Sequence, residues 1–146
     1  MRARTAALRL LSRRDYTTAE IRQKLTDREF EGGEIEEAIA SLRADRLIDD
    51  RRAAAAHIRT ASRIKQRGRI RIERELEARG VDRSLIRELL RDLPAEDESA
   101  AIAKFLQRRR PPGRLNPADR RRLFQQLLRR GFTPDVIAKA LKGEAE

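Results

Sequence analysis

Arginine is the residue type best placed to do chemistry in this sequence, and it is clustered. Lys65, Arg67, Arg69, Arg71 and Arg74 fall together near the middle. Arg108, Arg109, Arg110, Arg114, Arg120, Arg121, Arg122, Arg129 and Arg130 follow towards the end. A guanidinium is a permanently charged, planar fork of N–H donors that fits carboxylate and phosphate oxygens two at a time. Where such residues gather at loops and helix starts they are candidate contacts to an acidic protein groove or a nucleic-acid backbone. The net charge of +11 is unevenly placed. Lys and Arg minus Asp and Glu give 10 − 9 = +1 for residues 1–47, 13 − 8 = +5 for 48–94 and 12 − 7 = +5 for 95–146. The excess therefore lies in the middle and final thirds.

Residues for covalent or acid–base catalysis are scarce. His57 is the single histidine and there is no cysteine, so triads and zinc sites built on His or Cys are excluded. Glu36-Glu37 and Glu73, Glu75 and Glu77 are interleaved with arginines and read as solvated helix charges. Gly32-Gly33 has neither the spacing nor the lysine of a phosphate-cradling loop. The expectation is a protein that is not an enzyme and holds no cofactor or metal, with His57 partly packed on a helix.

The elements that position the arginines are visible as a repeat. Ile21, Leu25, Phe30, Ile35 and Ile39 return 51 residues later as Ile72, Leu76, Val81, Ile86 and Leu90. They return again after another 51 as Leu123, Leu127, Phe132, Ile137 and Leu141. In each copy two pairs spaced by four residues mark one face of two successive helices, with the fifth apolar residue in the turn between them. Gly80 and Gly131 suit the left-handed end of the first helix, and Asp82 and Thr133 offer a side-chain oxygen to begin the second. A self-similar period of this kind signals stacked helical units. With only five aromatic residues, the core is expected in thin layers of Leu, Ile and Ala.

Capping signals extend the reading to three helices per repeat, with repeats at 1–47, 48–94 and 95–146. Ala7, Leu8 and Leu11 mark a first helix over Arg4–Arg13. Thr17 and Glu20 form a capping box for a second, from Thr18 to about Glu29. Gly32-Gly33 is expected to reset the chain before a third, Glu34–Asp45, which turns Ile35, Ile39 and Leu42 inward. Asp49 or Asp50 caps a fourth with a shallow face of Ala54, Ala55, Ile58 and Ala61. Gly68 separates it from a fifth (Arg69–Arg79), and a sixth runs from Asp82 to Leu93, stopped by Pro94. Asp97 is expected to cap a seventh that buries Ala101, Ile102, Phe105 and Leu106 and ends at Arg108-Arg109-Arg110-Pro111-Pro112-Gly113. Helices eight and nine start at Pro117 and Pro134, and the last ends at Gly143 before a short acidic tail. Lack of cysteine fits a reducing cytosol. No apolar run reaches the roughly 18 residues of a membrane span, and Met1 to Leu11 carries arginines where a signal peptide is apolar. A soluble, cytoplasmic chain without membrane contact is expected.

The stretch from Ala7 to Leu25, including Leu10-Leu11-Ser12-Arg13 and Tyr16-Thr17-Thr18-Ala19-Glu20-Ile21, resembles the opening signature of the RecX family of bacterial regulatory proteins. Leu47-Ile48-Asp49-Asp50, Gly68-Arg69-Ile70, Glu75-Leu76, Gly80-Val81 and Arg129-Arg130-Gly131-Phe132 carry the likeness through the second and third repeats. The chain departs from the pattern at Arg52-Ala53-Ala54, where many relatives have Arg-Phe-Ala, which leaves the fourth helix without a core aromatic. The resemblance implies an all-α fold of three tandem three-helix repeats in an elongated, curved array. It also implies a protein that binds the RecA recombinase and its filament on DNA and restrains its ATPase, strand-exchange and coprotease activities, in DNA repair, homologous recombination and the SOS response; a monomer is expected. The fourteen basic residues named above are then the candidate partner contacts. The alternative reading is a stand-alone basic helical DNA-binding protein. No base-reading set of side chains is evident, so free DNA is expected to bind weakly and with steep salt dependence.

Overall fold

The computed structural model describes residues 2–144, and among them every regular element is helical. The α-helices are α1 (Arg2–Leu11), α2 (Thr18–Asp27), α3 (Gly32–Ala44), α4 (Asp50–Arg59), α5 (Arg69–Ala78), α6 (Arg83–Arg91), α7 (Ala95–Arg109), α8 (Pro117–Arg129) and α9 (Pro134–Gly143). A π-helical turn, Thr60–Ile64, follows α4 directly. The fold is an all-α tandem repeat of three-helix units. Ala145 and Glu146, the end of the expected acidic tail, lie outside the described residues.

Local chemistry explains most of the boundaries. Thr17 Oγ1 accepts from the Glu20 N–H at 3.1 Å while Glu20 Oε1 accepts from the Thr17 N–H at 2.9 Å, which closes the capping box of α2. Asn116 caps α8 through the Asp119 N–H, with Pro117 in the first turn. Asp49 accepts from the Arg52 N–H at the start of α4, leaving Asp50 to accept from both Thr18 N and Thr18 Oγ1.

Several expectations are corrected. Gly32 and Gly33 are not a break; they form the first turn of α3 after the N-cap Glu31, and the reversal before it is made by Glu29 with φ of 64°. Asp97 does not cap α7, because the helix begins at Ala95 behind Pro94. In the first turn its carboxylate instead complements the helix dipole, 3.9 Å from Arg63. Thr133 stands at the N-cap of α9 without a side-chain cap bond. α1 starts earlier and buries Ala3, Ala7 and Leu10, with Leu8 and Leu11 only partly covered. In α4 it is Ala53, rather than Ala55, that joins Ala54, Ile58 and Ala61 in the interior. The π turn has no counterpart in the sequence reading.

The chain divides into two compact units. One holds the residues up to Ala56 together with Leu76–Arg87, and the other holds His57–Glu75 together with the residues from Glu88 on. The first is centred on Ile21, Leu25, Ile35, Ile39 and Leu42, and the second on Ile102, Phe105, Leu123, Leu127, Phe132 and Ile137. Of the fifteen apolar positions in the 51-residue register, all but Phe30 are buried, and Phe30 is partly so.

Each unit contains a joint of the same design, in which the turn of one helical hairpin seats on the N-terminal end of another helix. In the first unit the α5–α6 turn docks on the start of α2. Thr17 Oγ1 donates to the Arg79 carbonyl at 2.6 Å, and a Cβ on Gly80 would come under 3.0 Å from the Ala19 Cβ. In the second unit the α8–α9 turn docks on the start of α5. The N–H groups of Gly68 and Ile70 donate to the carbonyls of Arg130 and Gly131 at 2.8 and 3.0 Å, and a Cβ on Gly131 would strike Arg71. Gly68 needs its missing Cβ as well, since one would press on the Gly131–Phe132 backbone. Gly80 and Gly131 have φ of 80° and 94°, so they meet both a conformational and a steric demand.

Glu29 occupies the equivalent position of the first hairpin, and its residue type is the wrong one for that backbone. Replacing Glu29 with Gly removes a left-handed penalty of about 1–2 kcal/mol and adds an entropic cost of about 0.5–1 kcal/mol. Urea unfolding should therefore show a gain of about 0.5–1 kcal/mol.

Candidate functional site

The structure gathers some of the sequence-selected arginines and sets others to internal work. Arg69 is committed to the interior of its unit. Its guanidinium bonds to Glu98, which is 6% exposed, and donates to the carbonyls of Leu90 and of Leu93. Arg110 pairs with Glu144 and donates to the Gly113 carbonyl; Arg120 donates to the Leu141 carbonyl; Arg122 pairs with Asp119. Arg108, Arg114 and Arg121 are exposed. Arg121 lies with Arg120 and Lys142 around a pocket floored by Phe124, Ala138 and Leu141.

The remaining members converge on the second joint. Arg130, the last residue before the α8–α9 turn, reaches back to the Lys65 carbonyl at 2.8 Å and stacks its guanidinium 4.8 Å above the Phe105 ring. Arg109 lies over the same ring at 5.6 Å. Burial lowers the pKa of Arg130, and the like charges of Arg109, Arg71 and Arg67 lower it further. A guanidinium nonetheless stays protonated under these influences. Arg71 and Arg74 of α5 and Arg129 of α8 line the adjoining groove of about 590 Å³ with Ile70, Leu128 and Gly131.

Glu75 is the carboxylate of this cluster, and it is fully engaged. It accepts from Arg67, lies 3.6 Å from Arg71 and is 3.1 Å from His57 Nε2. Its side chain is only 21% exposed, so it is not one of the solvated helix charges it resembles in sequence. Glu36 and Glu77 are paired with Arg22 and Arg83. Glu75, the carboxylate beside His57, thus also serves ion pairs with arginine.

The first joint carries a different charge balance. Glu20 there accepts from Arg79 Nη2 at 3.0 Å and Nε at 3.2 Å, and Arg14 approaches to 3.7 Å. Burial works to raise the Glu20 pKa, but the Arg79 hydrogen bond, the Thr17 N–H and the charges of Arg79 and Arg14 outweigh it and hold the carboxyl below its ordinary value. Phe105 as a platform for the Arg109 and Arg130 guanidiniums, and Glu75 as the anchor of Arg67 and Arg71, are not recognisable from the sequence.

Three consecutive family models match the chain: the first three-helix domain of RecX over residues 3–42, the second over 49–90 and the third over 96–141. The chain belongs to the RecX family. A protein named regulatory protein RecX from Halorhodospira halophila is 40% identical over 141 residues, covering 94% of this chain and 84% of the relative. One of the same name from Trichlorobacter lovleyi is 37% identical, covering 90% and 88%. The crystal structure of RecX from Lactobacillus salivarius has a TM-score of 0.89 at 23% identity, covering 98% of this chain and 94% of that one, which is a likeness of fold. The family is one of regulatory proteins, and the all-α repeat expected from the 51-residue register is the family's fold. No helix of the described residues is long and apolar enough to cross a membrane.

The depressed Glu20 pKa has a measurable consequence. Because the folded carboxyl titrates below the unfolded one, its stabilisation is complete above the ordinary glutamate pKa of about 4.3 and is lost as pH falls through the folded value. A Glu20→Gln variant should be less stable than the parent at pH 7, with the gap closing as the solution is acidified. Chemical denaturation over that range tests this, and a gap independent of pH contradicts the assignment.

Proposed function

We propose that this chain binds the RecA recombinase and its filament on DNA and, by occupying the filament, lowers ATP hydrolysis, strand exchange and coprotease activity. Family membership supports a regulatory role. The observation that carries the physical part is the groove beside the second joint, lined by Arg71, Arg74 and Arg129, next to Arg130 with its like-charged neighbours, while Glu75 is already engaged by Arg67, Arg71 and His57. Such a face suits a polyanionic or acidic surface, and tandem repeats are an architecture used on large partners. Simultaneous contact with neighbouring protomers would favour filament over free RecA by multivalency. The protein acts in the cytoplasm as a monomer under this reading, and free DNA binds only weakly and with strong salt dependence.

Co-sedimentation with RecA filaments, compared with DNA alone, tests the proposal. Arg74, Arg121 and Arg129 form no ion pair among the described residues, so reversing all three to Glu should leave the circular dichroism helical. The variant should bind filaments less and relieve the inhibition of ATP hydrolysis. Full inhibition by the folded variant would remove these arginines from the contact. A wild-type chain that leaves hydrolysis, strand exchange and coprotease activity unchanged would refute the regulatory mechanism. Tight, sequence-selective DNA binding that survives raised salt would favour a stand-alone DNA-binding protein instead.

A further inference from the structure

The two joints share a design and differ in the charge that stands between their outer cations. Arg14, Glu20 and Arg79 of the first stand 51 residues before Lys65, Arg71 and Arg130 of the second. Both outer cations are kept, and the carboxylate between them has become a third cation. The surroundings of the terminal arginine are conserved in kind. Arg79 donates to the carbonyl of Asp15 in the loop before α2, and Arg130 donates to the carbonyl of Lys65 in the segment before α5. What differs is the pair of N–H bonds that Arg79 makes to Glu20. No carboxylate of the described residues takes the corresponding donors of Arg130, and Glu75 is held by Arg67, Arg71 and His57. Arg67 and Arg109 add to the unbalanced charge.

We infer that the second joint is a seat for a phosphodiester group of a nucleic-acid strand, bound between the Arg71 and Arg130 guanidiniums where the first joint holds the Glu20 carboxylate. Guanidinium forks match phosphate oxygens two at a time. A strand is the better occupant than an acidic peptide because the cations continue along the groove. Arg74 stands one turn beyond Arg71 on α5 and Arg129 lines the same groove, as the evenly repeated phosphates of a strand require. Ile70 and Leu128 leave apolar surface between them for the sugars. The inference needs no recombinase, so it and the filament reading can fail separately.

The test is fluorescence anisotropy of a labelled oligothymidylate with the full chain alone, at several salt concentrations, alongside thermal unfolding. Arg71→Glu should rebuild the ion pair of the first joint, so its Tm should match or exceed the parent's. Its affinity for the oligonucleotide should fall by about tenfold, as for one lost charge-assisted hydrogen bond, and the salt slope by about one. A merely structural cluster would give the Tm result without the loss of binding. Unchanged affinity in Arg71→Glu overturns the proposal. If that variant is destabilised, Arg71→Gln decides, since it removes the charge and adds none: weaker binding supports the seat, and unchanged binding overturns it. Poly-glutamate that binds as tightly as the oligonucleotide and competes with it would show a site for carboxylates and overturn the phosphate assignment.

Discussion

A left-handed glycine turn pressed onto the first residues of a helix is the contact on which each unit depends. At Gly80 and Gly131 the backbone has φ near that of a left-handed residue and also approaches its neighbour more closely than any Cβ allows. The first demand is local and ends a helix; the second is tertiary and brings carbonyl groups of the turn within hydrogen-bond distance of α2 or α5. Because each turn carries an arginine immediately before its glycine, the joint also fixes where a guanidinium lies. Charge placement in this molecule is therefore a consequence of backbone packing.

That placement separates the arginines by role. Arg79 is answered by Glu20, and Arg69 is drawn into its unit by Glu98 and two carbonyls, so these cations hold structure together. Arg130 has the position of Arg79 without its counter-charge. Its positive field adds to those of Arg71, Arg74 and Arg129, which line the adjoining groove. Such a field raises the rate of encounter with any oppositely charged surface, at the expense of some self-repulsion in the folded state.

The hairpins were legible in the sequence because burial imposes a helical period, and Ile21, Leu25, Ile72, Leu76, Leu123 and Leu127 all keep it. The Thr17–Glu20 box was legible because capping is decided within four residues. Glu29 hid the first left-handed turn, since a glutamate there satisfies the backbone only with strain, and the nearby Gly32-Gly33 offered a false alternative. Gly68 was visible as a glycine, but the backbone that excludes a side chain from it lies more than sixty residues away. The arginine clusters were legible as composition, whereas their division into paired and unpaired cations depends on Glu75, Glu98 and Glu20 and on folding. The register itself holds one further signal: carried from apolar to charged positions, the 51-residue period aligns Glu20 with Arg71.

The central claim is that one joint is closed by attraction between charges and its counterpart, built on the same seating of a glycine turn against a helix start, is opposed by repulsion. Two double-mutant cycles measured by urea unfolding at low salt test it, one replacing Glu20 and Arg79 with Gln singly and together, the other Arg71 and Arg130. The account predicts a stabilising coupling energy for the Glu20–Arg79 pair and a destabilising one for Arg71–Arg130. Couplings of the same sign, or a zero value for the second pair, would contradict it.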